Sequence, residues 1–428
     1  MADPTGREAV AAVWRIDSAR IVGALARYTG DFALAEDLGQ EALAEALVTW
    51  PREGVPRNPA GWLLTVGRRR AIDVFRRRAA RDERYAVLAR DLGEGGASSG
   101  GAPADPVRDA EEVLWDPDRI DDDVLALMFV SCHPVLPREA RVALTLRVVG
   151  GLTSDEIAKA LLVPTATVQA RITRAKKALG AARVPFEVPS AGERAERLGS
   201  VLNVVYLIFT EGSSASSGDD LLRPGLAGEA QRLARVLARL VPEEPEVHGL
   251  LALLELTAAR FPARTGADGR PVLLEHQDRR RWDRAAIRRG RAALARAERA
   301  GRGLGAYGLQ AAIAECHALA PSVGATDWER VVLVYEALGR LAPSPVVDLN
   351  RAVAVSMARG PAAALPIVDG LAAAGALPNS HLLPGVRGEL LTRLGRTGEA
   401  RVELELAVRL CGNGSERSVL EGKLAALG

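Results

Sequence analysis

Aromatic residues make up only 4% of the 428-residue chain, and its three cysteines, Cys132, Cys316 and Cys411, stand far apart. Such spacing excludes a disulfide scaffold and any CxxC-type zinc site, and it fits a reducing compartment. Lysine is scarce: only four of the 56 basic residues are Lys (Lys159, Lys176, Lys177 and Lys423). The arginine excess reads as codon bias of a GC-rich genome. No run of about 18 uncharged apolar residues occurs, so no membrane span is expected. The opening MADPTGREAV has no basic stretch followed by an apolar one, so no secretory signal is expected and the predicted location is cytoplasmic. No GxxxxGK[ST] loop, nucleophile elbow or clustered metal ligands are visible, so we expect no catalytic residues, no metal and no cofactor.

What the chain does have is helical periodicity. With 48% apolar residues and a net charge of +2, it can bury real cores, and its length suits two to four domains. Apolar residues recur at helical spacing from Val10 to Leu47, and alternating strand patterns are rare. The predicted fold class is all-α. A Pro-rich break at Pro51, Pro56 and Pro59 precedes a helix from about Ala60 to Arg78, with Asn58 as N-cap and Pro59 at its first position. The stretch DLGEGGASSGGAPADP, residues 91–106, reads as a flexible linker. Helical patterning resumes near Ile120, breaks again at 184–192, and then continues as Ala/Leu-rich helices to the end. Segments beginning at Asn350 and Gly388 align at an offset of about 38 residues, near the roughly 34 of a tetratricopeptide unit, with Gly360 and Gly398 as turns.

Three segments carry chemistry. In residues 152–179, Thr153 or Ser154 caps a helix whose first turn holds Asp155 and Glu156, and a short turn leads to a second helix opening at Pro164–Thr165. Val168, Ile172, Ala175 and Leu179 face inward there. Gln169, Arg171, Arg174, Lys176 and Lys177 face outward, with no acid between Thr165 and Leu179. A short helix, a tight turn and a basic second helix form a helix-turn-helix, which suits the DNA major groove, with Thr165, Thr167 and Gln169 near base edges and the later basic residues on phosphates. In residues 60–78, six arginines (68–70 and 76–78) meet one acid, Asp73, which is a phosphate footprint or a solvated face. In AEDLGQEAL, Asp37 and Glu41 lie four apart on one helical face. Paired carboxylates suit acid/base or metal chemistry, but no neighbouring His completes such a site.

These three motifs, in this order over about residues 8–180, resemble the extracytoplasmic-function (ECF) sigma factors of the sigma-70 family. The tail resembles the subgroup with a long tetratricopeptide-like C-terminal extension, through YLIFTEGSSASSGD, PEEPEVHGLLALLELTAAR, QDRRRWDRAAI and PSPVVDLNRAVAV, and through Cys132-His133-Pro134. The resemblance implies sigma region 2 at 1–80, a linker at 81–118, region 4 at 119–183, a helical extension at 190–300 and helical repeats at 301–428. It implies that Asp37, Gln40 and Glu41 bind the core RNA polymerase clamp. Arg57 and Asn58 would capture a flipped base, and Arg68, Arg69, Arg70, Arg76 and Arg77 would hold −10 DNA. Thr165, Thr167, Gln169, Arg171, Arg174, Lys176 and Lys177 would read the −35 element. Partners are then core polymerase (clamp and flap), promoter DNA, and an unidentified protein or ligand at the tail, which would modulate activity in cis. Gly67-Arg68-Arg69 replaces the family's usual Asn-containing element, and Gln169-Ala170 stands where Lys-Ser is frequent.

The other readings differ in mechanism. A stand-alone helix-turn-helix regulator with a helical sensor domain would bind duplex DNA without polymerase, and residues 35–78 discriminate, since such a regulator has no use for them. A helical-repeat scaffold would not depend on Arg171 and Arg174. Cys132-His133 and Cys316-His317 lack metal-ligand spacing and read as buried cysteines with structural histidines. The ten arginines of residues 279–302 read as a solvated face, with DNA or polymerase contact as the alternative.

Overall fold

The computed structural model describes residues 4–91, 120–161, 163–213, 223–266 and 271–427. Those residues are helical throughout, apart from turns and isolated bridge residues such as the pair Thr265 and Pro271. The chain forms two compact units, and the division falls at Val204–Val205, inside one helix.

The first unit contains α1 (Pro4–Thr29), α2 (Phe32–Glu53), α3 (Pro59–Asp91), α4 (Ile120–Ser131), α5 (Arg138–Val148), α6 (Ser154–Leu161), α7 (Thr165–Ala181) and the first half of α8 (Ala191–Ser213). Local chemistry sets the boundaries. Gly30, at φ 65°, ends α1, and Asp31 caps α2 by accepting the Leu34 N–H at 3.0 Å. Asn58 caps α3 through the Gly61 N–H at 3.0 Å, as its place before Pro59 predicts. Thr153 is the residue that caps α6: its hydroxyl accepts the Glu156 N–H while Glu156 reaches back to the Thr153 N–H at 2.8 Å, a reciprocal capping box.

Some boundaries differ from the sequence reading. Pro51 does not break α2 but sits in its last turn, where loss of one N–H is tolerated. The helix of the arginines runs past Arg78 to Asp91, and the remainder of the expected linker lies outside the described residues. Regions expected as separate modules pack together, α1 lying against both α2 and α4. Residues 191–204, expected to open the extension, belong to this first unit.

The second unit continues with α9 (Pro224–Leu240), α10 (Pro245–Ala258), the short α11 (Phe261–Arg264), α12 (Arg284–Arg299), α13 (Ala306–Leu319), α14 (Trp328–Leu341), α15 (Pro345–Arg359), α16 (Pro361–Ala373), α17 (Leu382–Arg393), α18 (Thr397–Leu410) and α19 (Gly414–Ala425). Successive helices pair as antiparallel hairpins around Ala- and Leu-rich cores. Buried Glu255 on α10 ties three helices together by pairing with Arg235 on α9 and Arg289 on α12. Of the two repeat turns, Gly360 is a turn glycine at φ 89°, but Gly398 lies inside α18 and the second turn falls at Gly395, φ 74°. Arginines of residues 279–302 are largely engaged: Arg289 with Glu255, Arg291 with Glu315 at 2.9 Å, and Arg279 with two backbone carbonyls.

Gly67 has a packing role. A Cβ there would stand 2.9 Å from a methyl of buried Leu25 on α1, so a larger residue requires that side chain to shift in a packed core. This is a physical reason for the missing Asn of the family element. Gly67→Asn should therefore lower unfolding stability by about 1–3 kcal/mol, and combining it with Leu25→Ala should cost less than the sum of the two single changes. Denaturant titration of the single and double variants checks this.

Candidate nucleic-acid interface

The helix-turn-helix forms as its periodicity predicts. Val168, Ile172, Ala175 and Leu179 are all buried on one side of α7. Gln169, Arg174 and Lys177 are exposed on the other, with Thr165, Thr167 and Arg171 partly so. The Thr165 hydroxyl donates to Asp155 at 2.8 Å, which ties the start of α7 to α6. Arg174 folds back on its own helix, its Nε donating to the Ala170 carbonyl at 3.2 Å.

On α3, Arg69, Arg76 and Arg77 are exposed, as is Arg57 in the preceding loop. Arg68 is half-buried, with an Nε that finds no acceptor. Arg70 is not free. It bridges Glu41 at 2.9 Å and Glu45 at 2.7 Å on α2, and the Glu45 hydrogen bond leads the effects that hold its guanidinium above the usual range. Asn58 is exposed, with its carbonyl oxygen committed to the helix cap. Trp62 packs edge-on against buried Trp50 at 5.6 Å and fastens α3 to α2.

The decisive contact was not expected. Lys176, on the basic face of α7, lies against α2, where its Nζ contacts Asp37 at 2.6 Å and Glu36 still more closely. Glu36 is 3% exposed and also accepts Arg147 of α5 at 3.3 Å. Burial alone would lower Lys176, but the carboxylates of Glu36 and Asp37 outweigh it and hold the ammonium above its ordinary value. A second bridge, Arg15 on α1 to Glu156 on α6 at 2.6 Å, closes the same unit. Thus a residue assigned to the −35 element touches one assigned to polymerase. Asp37 and Glu41 are exposed, and Gln40 is partly so. Sequence reasoning missed Glu36, Arg147, Arg15 and Glu156 as partners. The available signal was Glu36 itself, an acid among the buried positions Ala35, Leu38, Gly39 and Ala42 of α2.

Cys132 and His133 do not converge. Cys132 is buried at the end of α4 against Thr145 at 3.3 Å, and burial pushes its thiol up to about 11 against the pull of that hydroxyl. The His133 Nδ1 instead accepts the Val135 N–H at 3.2 Å, in the turn after α4 rather than at a helix start. The Cys132 carbonyl accepts the Ser200 hydroxyl of α8 at 2.6 Å, and Arg141 donates to that hydroxyl at 2.8 Å, so the Cys-His-Pro element is where α8 docks. In the second unit, ligand-type atoms of His381, Cys411 and Glu416 lie within 4.8 Å of one another, a cluster that spacing in the sequence does not reveal. His381 and Glu416 already pair at 3.3 Å.

Family comparisons agree with this architecture. Sigma-70 region 2 matches residues 17–81, sigma-70 region 4 matches 126–179, and a domain family of unknown function (DUF6596) matches 197–298. An uncharacterized protein of Rhizobium meliloti (strain 1021) is 45% identical over 408 residues, covering 94% of this chain and 92% of that protein. The "Probable ECF RNA polymerase sigma factor SigI" of Mycobacterium tuberculosis is 29% identical over 223 residues, 51% of this chain and 69% of that protein. No solved structure matches. The two regions, in this order, define a transcription initiation factor of sigma-70 type rather than an enzyme. The two matched regions, the further domain match at 197–298 and the likeness to a probable ECF sigma factor are consistent with an ECF-type sigma factor that carries a C-terminal extension. Among the described residues no helix is long and apolar enough to cross a membrane.

Removing Glu36 breaks a buried ion pair, leaving Lys176 with Asp37 alone and Arg147 with only the Leu152 carbonyl. Glu36→Ala should destabilise the first unit by about 3–5 kcal/mol, measured as a fall in the urea midpoint. The Lys176 contact also predicts a pH dependence. A lysine raised in the folded state adds stability that is fully present below its unfolded value of about 10.4 and lost as pH climbs through the higher folded value. Between pH 9 and 12 on the order of the lysine titration range, the wild type should therefore lose stability more steeply than Lys176→Met, as read by urea titration across that range.

Proposed function

We propose that this sigma factor engages the core polymerase clamp through the Asp37, Gln40 and Glu41 face of α2. The α3 arginines with Arg57 and Asn58 hold −10 DNA, and α7 reads the −35 element. The observation that carries this reading is the pair of cationic helices, one in each matched sigma region, with exposed basic faces at Arg69, Arg76 and Arg77 and at Arg174 and Lys177. A region 2 match is of no use to a stand-alone helix-turn-helix regulator, which makes that reading the weaker one.

In this reading the compact first unit is a resting state. Promoter elements about 17 base pairs apart are separated by on the order of 60 Å. Lys176 cannot lie on a −35 phosphate while it neutralises Glu36 and Asp37 on the polymerase-binding helix. Engagement therefore exchanges the Lys176 contacts for phosphate contacts and exposes α2. A connection of some 36 residues, as expected from sequence, can span roughly 33 Å as a free coil and about 120 Å extended, so it is long enough when drawn out. No nucleotide hydrolysis is expected. Strand opening, at about 1.4 kcal/mol per stacked step, would draw on flipped-base capture and arginine–phosphate contacts.

Modulation in cis by the C-terminal helices is part of the proposal. It is supported by the presence of a helical extension on the same chain as the two matched sigma regions.

In reconstituted transcription, Arg174→Ala should weaken promoter binding uniformly across sequences and reduce the salt slope by about one. Gln169→Ala should relax preference at one −35 position by about 1–3 kcal/mol. Arg15→Glu sets like charges together at a half-exposed contact, costs less than about 1 kcal/mol and should speed association with core polymerase. Slower association would count against the resting-state reading.

A further inference from the structure

The second unit contains a cavity of about 520 Å3, a size that suits a small organic ligand. Its walls are apolar at Val272, Leu274, Val386, Leu390 and Leu420, and they also carry Arg260, Arg264, Arg393 and Lys423. The two lining carboxylates are already engaged, Glu389 with Lys423 at 2.7 Å and Glu416 with His381 at 3.3 Å. Arg264 donates to the Ser213 carbonyl at 2.5 Å, and Arg393 to the Ser356 hydroxyl at 2.7 Å.

Arg260 differs from these. It follows the end of α10 and lines this cavity and also a smaller one of about 240 Å3 beside His317 and Tyr335. Its guanidinium has no carboxylate or carbonyl partner among the described residues. The charges that act on it are those of Arg264 and Arg279, both repulsive, and they join burial in pushing it down to about 10, so it stays charged at neutral pH. His317 next to it is driven the other way from charging: burial first, then Arg260 and Arg279, lower it to about 4, leaving a neutral ring. A half-buried guanidinium that keeps its proton, facing a cavity whose two acids are already paired with Lys423 and His381, is placed to receive an anion.

We propose that the C-terminal unit is a receptor for a small organic anion, a carboxylate on an apolar body, whose head is gripped by Arg260 and whose body lies among Val386, Leu390 and Leu420. The planar fork of arginine suits a carboxylate, and the mixture of apolar wall and convergent cation is that of a ligand site.

The test uses the full-length protein, titrated calorimetrically with decanoate, 2-naphthoate and decanol. Decanol has the same chain length as decanoate and no charge. We expect saturable binding of at least one carboxylate at a single site, with decanol weaker than decanoate by about tenfold or more. Arg260→Met should abolish that preference while leaving decanol unchanged, and its unliganded melting temperature should be equal to or above that of the wild type, since no partner loses a bond. Val386→Trp, which fills the chamber, should remove binding of all three and serves if Arg260→Met does not fold. The proposal is overturned if neither carboxylate binds at about 1 mM, if decanol matches decanoate, or if Arg260→Met binds decanoate as the wild type does. An effect of occupancy on promoter output would rest on the sigma-factor reading, whereas the titration does not, so the two can fail separately.

Discussion

The first unit is organised around one carboxylate. Glu36 is buried at a position of α2 where periodicity calls for an apolar residue, and an ionised acid there is tolerable only with cations brought to it. Arg147 comes from α5 and Lys176 from α7, so helices far apart in sequence are recruited to α2 by a single charge. α1 also packs on α4, with Arg27 of α1 on Asp123 of α4 at 3.4 Å. An ion cluster of this kind specifies an arrangement more than it adds net stability, because the desolvation of the charges offsets most of their attraction.

That trade suits a protein whose parts are proposed to separate. Apolar burial holds each helical module together and also packs α1 on α4, and the Glu36 charge cluster adds a polar contact between them. Charges removed from one another can be re-solvated or matched by phosphates at modest net cost. The exposed Arg15–Glu156 bridge adds little of its own. Under the proposed resting state, such a joint would open when a stronger set of charges, such as DNA phosphates, competes for the same side chains.

In the second unit charge does a different job. Glu255 is buried, but Arg235 and Arg289 satisfy it from neighbouring helices, which makes it a structural tie. Arg260 is the counter-example: the charges that act on it are those of other arginines, and the histidine beside it is neutral. The contrast is between a buried charge matched on two sides and a half-buried one that lines a cavity without a carboxylate partner of its own.

Much was legible from residues alone because it depends on short-range rules. Helix-turn-helix registry followed from Val168, Ile172, Ala175 and Leu179, and capping followed from Asn58 before Pro59 and from Thr153 ahead of Glu156. These are contacts within a few residues, set by a 3.6-residue period and by unpaired backbone N–H groups. Turn placement was weaker: Gly398 and Gly395 are both glycines in one stretch, and only backbone φ distinguishes them. Beyond local range the sequence was silent. The approach of Lys176 to Glu36 and Asp37, the occupation of Arg70 by Glu41 and Glu45, and the isolation of Arg260 link residues up to 140 apart or concern the absence of a neighbour. By itself the sequence determined an all-helical chain with two cationic helices, because periodicity and charge are written locally. Only the tertiary structure decided which of those charges are already neutralised and which are not, because pairing depends on distances of a few ångströms between segments that no local rule relates.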